Sequence, residues 1–155
     1  TTITGFTVTG GVSYYGGGIV QSSPGSLVIT SCAVVDNEGG PGGGGVVTST
    51  DSQVTIADTT ISGNLAIHGA GLYVDAGTTV DLTSSTIEGN TATASGAGAY
   101  VVDGAIVGGI VSGNVSDYAG GGISTSGGVA LTDLEIAANT SGSFGGGSSE
   151  WNPPA

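Results

Sequence analysis

The chain has 155 residues, with twelve Asp and Glu, no Lys or Arg, and a formal net charge of −12. A chain without cationic side chains cannot displace counterions from phosphates, which excludes the usual route to nucleic-acid binding. No run approaches the ~20 apolar residues of a membrane span, and nothing basic would hold the chain on an anionic membrane surface.

Glycine is unusually frequent, at 33 of 155 residues, or about three times the common usage of roughly 7%. Mean hydropathy is nevertheless +0.32, because Val, Ile and Leu are also plentiful. Disordered segments are poor in these apolar residues. We therefore expect an ordered, repetitive architecture that uses its glycines at fixed positions.

A repeat runs through the chain from its first residues. An imperfect first copy contains Ile3, Phe6 and Val8, with Gly11 where later copies carry asparagine. Five further copies place Val or Ile three positions before an asparagine, at Asn37, Asn64, Asn90, Asn114 and Asn139. These asparagines are 27, 26, 24 and 25 residues apart (64 − 37, 90 − 64, 114 − 90 and 139 − 114). The period indicates a stacked repeat fold.

A glycine-rich phrase follows each asparagine after a few residues. Its copies are Gly16–Ile19, Gly43–Val46, Gly69–Leu72, Gly96–Ala99, Gly120–Ile123 and Gly145–Ser148. Between the phrases lie apolar alternations such as Val54-x-Ile56 and Leu72-x-Val74, which are typical of short strands with one buried face. We predict three strands per copy and an all-β parallel β-helix, a β-solenoid of about six coils of 24–27 residues. The predicted domain covers residues 1–149, and residues 150–155 form a C-terminal cap or linker.

The recurring asparagines have a structural interpretation. Stacked coils place equivalent residues about 4.8 Å apart, so inward asparagine side chains can hydrogen-bond from coil to coil. Glycine at the next corner permits a positive φ and close backbone approach. We therefore predict a structural ladder of Asn37, Asn64, Asn90, Asn114 and Asn139.

The [Val/Ile]-x-x-Asn and Gly-Gly-Gly-Ile or Gly-Ala-Gly-Leu phrases resemble the repeats of chlamydial polymorphic outer membrane proteins and related bacterial surface proteins of pectate-lyase-like fold. The resemblance spans residues 1–149 and implies a right-handed parallel β-helix. It also implies a passenger, stalk or adhesin role, since such solenoids serve these roles as well as enzymatic ones.

No catalytic constellation is predicted. Lyases of this fold use an Arg or Lys base, and the chain has neither. Its acidic residues mostly occupy different repeat positions, whereas a glycosidase needs two carboxyl groups about 5–9.5 Å apart. His68 is the single histidine and lacks partners for a transition-metal site. We expect no enzyme and no cofactor, with Asp36 and Glu38 as weak candidates for a calcium site, because Ca²⁺ prefers oxygen ligands.

Two sets of residues are candidate contact surfaces. The residues Val20, Val47, Tyr73 and Tyr100 fall at one outward position of successive copies, and contiguous exposed apolar patches often mark partner surfaces. The segment between the Asn and Gly phrases, interpreted as a loop, contains Tyr14, Tyr15, His68, Tyr118 and Phe144. Self-association, glycan stacking or ordinary β-propensity and loop packing would each explain them.

An outward threonine column is the basis of an ice-binding hypothesis. Thr7, Thr60 and Thr86 share one position, with Ala33 among them and Ile110 and Glu135 beyond. A flat ice-binding face requires more regular Thr-x-Thr rows, so this is the third function considered.

The composition, rich in Gly, Ser and Thr, favours an extracellular or cell-surface location. Because the sequence has no methionine, we expect a processed chain or a segment of a longer one. A solenoid exposes strand edges at its ends, which fits either flanking coils or end-to-end stacking into filaments. We predict a non-enzymatic structural or adhesive module whose partners are itself or further solenoid, with carbohydrate binding as the first alternative.

Overall fold

A computed structural model describes residues 1–150, in which 24 short β-strands wind through six successive coils of four strands each. Coils one to three contain β1 (Thr2–Thr4), β2 (Thr7–Thr9), β3 (Val12–Ser13), β4 (Ile19–Val20), β5 (Ser26–Thr30), β6 (Ala33–Val35), β7 (Glu38–Gly39), β8 (Val46–Val47), β9 (Gln53–Ala57), β10 (Thr60–Ser62), β11 (Leu65–His68) and β12 (Leu72–Val74). Coils four to six contain β13 (Thr78–Thr83), β14 (Thr86–Glu88), β15 (Thr91–Ser95), β16 (Ala99–Val101), β17 (Gly104–Val107), β18 (Ile110–Ser112), β19 (Val115–Ser116), β20 (Ile123–Thr125), β21 (Val129–Thr132), β22 (Glu135–Ala137), β23 (Thr140–Ser141) and β24 (Ser148–Glu150).

Equivalent strands of successive coils pair in parallel and form four sheets of six strands. Sheet 1 is β1-β5-β9-β13-β17-β21, sheet 2 is β2-β6-β10-β14-β18-β22, sheet 3 is β3-β7-β11-β15-β19-β23 and sheet 4 is β4-β8-β12-β16-β20-β24. The predicted all-β solenoid of about six coils is confirmed. The strand β24 extends to Glu150, one residue beyond the predicted domain boundary, and the rest of the predicted C-terminal cap, residues 151–155, lies outside the described residues.

The prediction of three strands per coil is wrong, because the segment between the Asn and Gly phrases forms the strands of sheet 3. In β11 and β15, Leu65 pairs with Thr91 and Ala66 with Ala92. Their inward residues are only alanines, Ala66 and Ala92, which are buried in a small cluster of their own. In β11 the outward residues Leu65 and Ile67 are more apolar than the inward alanine, and in β15 the inward alanine is too small to stand out between threonines. Neither strand gives a strong apolar alternation, so the sequence resembles a loop here.

The core is a column of stacked aliphatic side chains from the other three sheets. Sheet 1 buries Ile29, Ile56 and Leu82 completely, and sheet 2 buries Val34, Ile61, Ile87 and Val111 in the same way. Sheet 4 adds Val46, Leu72 and Ile123. Each coil therefore completes the core of its neighbours, which is the arrangement that stabilises repeat proteins.

A left-handed residue marks the corner between sheets 2 and 3 in every coil. The column is Gly10, Asp36, Gly63, Gly89, Gly113 and Ala138, with φ between 52° and 69°. Glycine adopts this conformation without steric cost, which explains the frequent Gly before Asn in the repeat phrase. The corner then directs the following asparagine into the interior.

The five asparagines form a continuous hydrogen-bonded column behind this corner. The side-chain amide Nδ2 of Asn37, Asn64, Asn90 and Asn114 donates to Oδ1 of the next asparagine at 2.9–3.0 Å. The backbone N–H of each donates to the same oxygen. Asn64, Asn90 and Asn114 are at most 1% exposed, so these bonds satisfy polar groups that water cannot reach.

The first and last coils pair on one side only within residues 1–150, because β1–β4 and β21–β24 are the edge strands of their sheets. The same residues contain no helix long and apolar enough to cross a membrane.

Candidate functional site

The predicted outward column of sheet 4 lies in one register. Val20 pairs with Val47, Val47 with Tyr73, and Tyr73 with Tyr100. The Tyr73 and Tyr100 rings are stacked, with centroids 5.5 Å apart and planes inclined by 19°. Val20 is exposed, and the other three are half-buried. The column therefore forms a narrow apolar strip parallel to the solenoid axis.

His68 adds a third ring to this strip, with its centroid 5.1 Å from that of Tyr100. It is the last residue of β11, not a loop residue as predicted. Its Nδ1 atom is buried and has no hydrogen-bond partner among residues 1–150. Burial lowers the pKa of His68 below its usual 6.5. Burial, followed by the charge of Asp75 and the proximity of Tyr100, raises the pKa of the Tyr73 hydroxyl, so both groups are favoured in their neutral forms.

Tyr118 and Phe144 extend the aromatic surface into the last two coils. Their rings meet edge to face at 5.4 Å, and the side chains are 47% and 57% exposed. The bridges Ser95–Ala119 and Ala119–Phe144 hold the backbone of this segment in register between coils. Positions that look like unrelated loop residues in the sequence therefore lie side by side.

The rings of His68, Tyr100, Tyr118 and Phe144 line an open groove of about 580 Å³, whereas Val20, Val47 and Tyr73 of the predicted contact column do not line it. The lining residues are His68, Ala94, Ser95, Tyr100, Tyr118, Ala119, Ser124, Phe144, Ser149 and Glu150. They come from coils three to six, so the groove covers about 14 Å along the axis at about 4.8 Å per coil. The aromatic faces can bind apolar surface, and the serine hydroxyls and Glu150 can hydrogen-bond. Such a groove suits an elongated ligand that carries both apolar faces and hydroxyl groups.

The other predicted contact residues lie elsewhere. Tyr14 and Tyr15 belong to coil one, pack edge to face at 4.9 Å and are 68% and 69% exposed. Neither lines the groove. The predicted loop group is therefore divided between a first-coil pair and the groove residues His68, Tyr118 and Phe144.

The weak calcium candidates Asp36 and Glu38 are both exposed. Asp36 occupies the left-handed corner before Asn37, with a φ of 54°, and Glu38 lies on β7, paired with Val12 and Leu65. Within residues 1–150, no group of three or more His, Cys, Asp or Glu side chains comes together.

The threonine column of sheet 2 has the predicted register, Thr7–Ala33–Thr60–Thr86–Ile110–Glu135. Sheet 1 adds a second outward column that was not predicted from the sequence, Thr2–Val28–Thr55–Asp81–Val107–Thr132. Ala33, Ile110 and Glu135 interrupt the sheet 2 column. Val28, Asp81 and Val107 interrupt the sheet 1 column, so neither sheet presents uninterrupted Thr-x-Thr rows.

We expect the stability of the solenoid to depend on the protonation of His68. Because burial lowers the pKa of His68 in the folded state, the unfolded chain binds the proton more readily. The stabilisation associated with neutral His68 is present in full above the pKa of His68 in the unfolded chain, about 6.5. It is lost as the pH falls from there towards the lower folded pKa. Chemical unfolding of the wild type and His68→Gln between about pH 8 and about pH 5 measures this difference. The wild type should lose stability relative to the variant as the pH falls, and a pH-independent difference would contradict the prediction.

Six groove residues were not predicted as contact residues from the sequence, namely Ala94, Ser95, Ala119, Ser124, Ser149 and Glu150. A signal was available, because Ser95, Ala119 and Phe144 occupy one repeat position, as do Tyr100, Ser124 and Ser149. Serine is frequent throughout the chain, however, so the presence of a serine at one of these positions does not mark it as a contact residue.

The family model of the right-handed β-helix region matches residues 1–141. No curated protein and no solved structure matches the chain. The family match covers nearly the whole described chain and agrees with its four parallel sheets. This chain therefore belongs to the right-handed β-helix family.

Proposed function

We propose that this solenoid is a non-enzymatic adhesive module of an extracellular surface and that it binds neutral carbohydrate in the aromatic groove. The observation that carries the proposal is that two pairs of neighbouring rings, His68 with Tyr100 and Tyr118 with Phe144, line one groove. The solenoid is the rigid scaffold that holds these rings in fixed positions.

Carbohydrate is the ligand class that best fits this surface. Pyranose rings have apolar C–H faces that pack on aromatic rings and hydroxyl groups that need hydrogen-bond partners. The groove offers four rings together with the polar atoms of Ser95 and Ser149, while the buried Ser124 hydroxyl accepts a hydrogen bond from Ser149. Tyrosine combines both kinds of contact in one side chain. The open shape along several coils favours a chain-like oligosaccharide over a compact ligand.

Charge selects neutral glycans over acidic ones. The protein carries a formal charge of −12 without one Lys or Arg, and Glu150 adds a carboxylate to the groove lining. Uronate or sialate groups would meet like charge and no cation to pair with. We therefore expect acidic glycans to bind more weakly than neutral ones of equal length.

A binding role without catalysis is supported by the ionisable groups of the groove. Glu150 is its one carboxylate among residues 1–150, whereas glycosidases use two. The lowered pKa of His68 favours the neutral imidazole, which leaves the groove without a cation for a substrate carboxylate. The extracellular location is supported by the composition and by the resemblance of the repeats to those of bacterial surface proteins.

Tyr118→Ala and Phe144→Ala should each weaken glycan binding by about tenfold, because loss of one stacked ring removes on the order of 1.4 kcal/mol. A glycan array would identify the best neutral oligosaccharide, and isothermal titration calorimetry with it would give the affinities. Both side chains are about half exposed, so the fold should persist.

Tyr15→Ala is the matched control, because Tyr15 is also exposed and aromatic but lies in coil one, outside the groove. Binding should be unchanged in this variant. An array without any bound glycan, or equal effects of Tyr15→Ala and Tyr118→Ala, would overturn the proposed function.

A further inference from the structure

The two ends of the solenoid differ in the asparagine ladder. In coils one to five, the backbone N–H at the ladder position donates to Oδ1 of the asparagine in the following coil. The first of these bonds joins Gly11 to Asn37 at 3.0 Å, and the last joins Asn114 to Asn139 at 2.9 Å. Asn139 is the last member, and no further asparagine accepts from its N–H within residues 1–150. The edge of coil six therefore presents a ladder donor along the axis.

At the other end of the solenoid, the first coil has no asparagine at the ladder position. Its ladder position is Gly11, and a Cβ added there would collide with the carbonyl oxygen of Gly17. This position cannot carry a side chain without a backbone shift. The edge of coil one therefore offers no side-chain amide oxygen at the ladder position to a coil stacked upon it.

The glycine-rich phrase shows the same asymmetry. The third residue of the phrase is a glycine in every coil. In coils one to five, a Cβ added to it would collide with the carbonyl oxygen of the equivalent glycine in the next coil. The distance between the two atoms would be 2.5–2.6 Å for Gly45, Gly71 and Gly98. A Cβ on Gly147 of coil six would have, among residues 1–150, only the Ile136 Cγ2 atom nearby, at 3.7 Å. Gly147 is exposed, whereas Gly122 is buried. Coil six thus keeps the small residue that accommodates a following coil.

The apolar core also continues to this edge. Leu131 and Ile136 pair with Ile106 and Val111 of coil five. Ile106 and Val111 are fully buried, whereas Leu131 is 36% exposed and Ile136 is half-buried. Another coil at this edge would bury Leu131 and Ile136 completely, in the same way that coil six buries Ile106 and Val111 of coil five.

We propose that the edge of coil six docks a further parallel β-solenoid coil that carries an asparagine in register with Asn139. Three features of the interfaces between coils continue to this edge. They are the asparagine ladder, the glycine at the third position of the glycine-rich phrase, and the column of inward apolar side chains. The first coil of a second copy does not meet the requirement, because Gly11 has no side-chain amide to accept the Asn139 N–H. Head-to-tail filaments of identical copies are therefore disfavoured. This inference does not depend on carbohydrate binding.

A fusion tests the proposal. Residues 22–150 are joined directly after Glu150, so that Ser22 follows Glu150 as it follows Gln21 in the natural chain. The appended segment begins with the second coil and places Asn37 next in the ladder. The matched control carries Asn37→Ala in the appended segment only.

The fusion should unfold in one cooperative transition, at a higher denaturant midpoint than the 155-residue chain. Hydrogen exchange of the Asn139 amide should slow at least about tenfold, because that N–H becomes a ladder donor. The control should lose most of both gains. Two separate transitions, an appended segment that circular dichroism shows to be unfolded, or unchanged exchange at Asn139 would overturn the proposal.

Discussion

Replacement of Asn90 by alanine is expected to lower the free energy of unfolding by about 4 kcal/mol, because several buried partners lose their bonds at about 1–3 kcal/mol each. Asn90 Oδ1 accepts from the backbone N–H and from Nδ2 of Asn64, at 3.0 and 2.9 Å. Asn90 Nδ2 donates to the carbonyl of Ile61 at 3.0 Å. No water reaches these groups, because Asn90 is fully buried. Urea unfolding followed by far-ultraviolet circular dichroism measures the loss.

Asn139→Ala is the matched control for Asn90→Ala. Asn139 makes the same kinds of bond, to Asn114 and to the carbonyl of Val111, but it is only half-buried. Water can replace part of what alanine removes, so the loss should be less than half of that at Asn90. Equal losses at the two sites would show that burial of the ladder does not determine its contribution.

Gly98→Ala is expected to destabilise the solenoid by about 3 kcal/mol, because overpacking of a close interface costs about 1–3 kcal/mol and here the obstacle is backbone. The added Cβ would lie 2.5 Å from the Gly122 carbonyl oxygen and 2.6 Å from Val111 Cγ1. The adjacent coils would have to separate locally. Thermal unfolding monitored by circular dichroism tests the effect.

Gly147→Ala serves as the control for Gly98→Ala, since at the same repeat position in coil six no atom of residues 1–150 would lie nearer than 3.7 Å to the added Cβ. There the substitution should be neutral, or stabilising by up to about 1 kcal/mol through the unfolded state. In the fusion described above it should become destabilising. A Gly98→Ala variant as stable as the wild type would contradict the close approach of coils four and five at this glycine.

The solenoid was predictable because its signals repeat. One asparagine in a turn is uninformative, but five at spacings of 24–27 residues, each after a β-branched residue, require a stacked interior column. The strands of sheet 3 were not predictable on the same grounds. In β11 the inward residue is Ala66 and the outward residues are Leu65 and Ile67, which reverses the pattern on which recognition of a half-buried strand depends. In β15 the inward Ala92 is small, so the apolar signal is weak.

The candidate site was predictable in part. Alignment of the repeats placed Tyr73 beside Tyr100 and placed Tyr118 and Phe144 in equivalent segments. It did not bring these two groups together, because the distance between them depends on how the chain turns from sheet 3 to sheet 4. That turn contains left-handed glycines such as Gly96 and Gly120. Because glycine has no side chain, the pattern of apolar residues gives no information about the direction of the turn.

The direction of the interstrand hydrogen bonds has a mechanical consequence. All four sheets pair coil to coil, so their hydrogen bonds run along the long axis. Tension applied between the two ends would load the bonds of each interface in the stretching direction. The four sheets of one interface would share that load, while successive interfaces would carry it in series. The solenoid should therefore part at its weakest interface, and the strength of a surface tether built from it would not increase with the number of its coils.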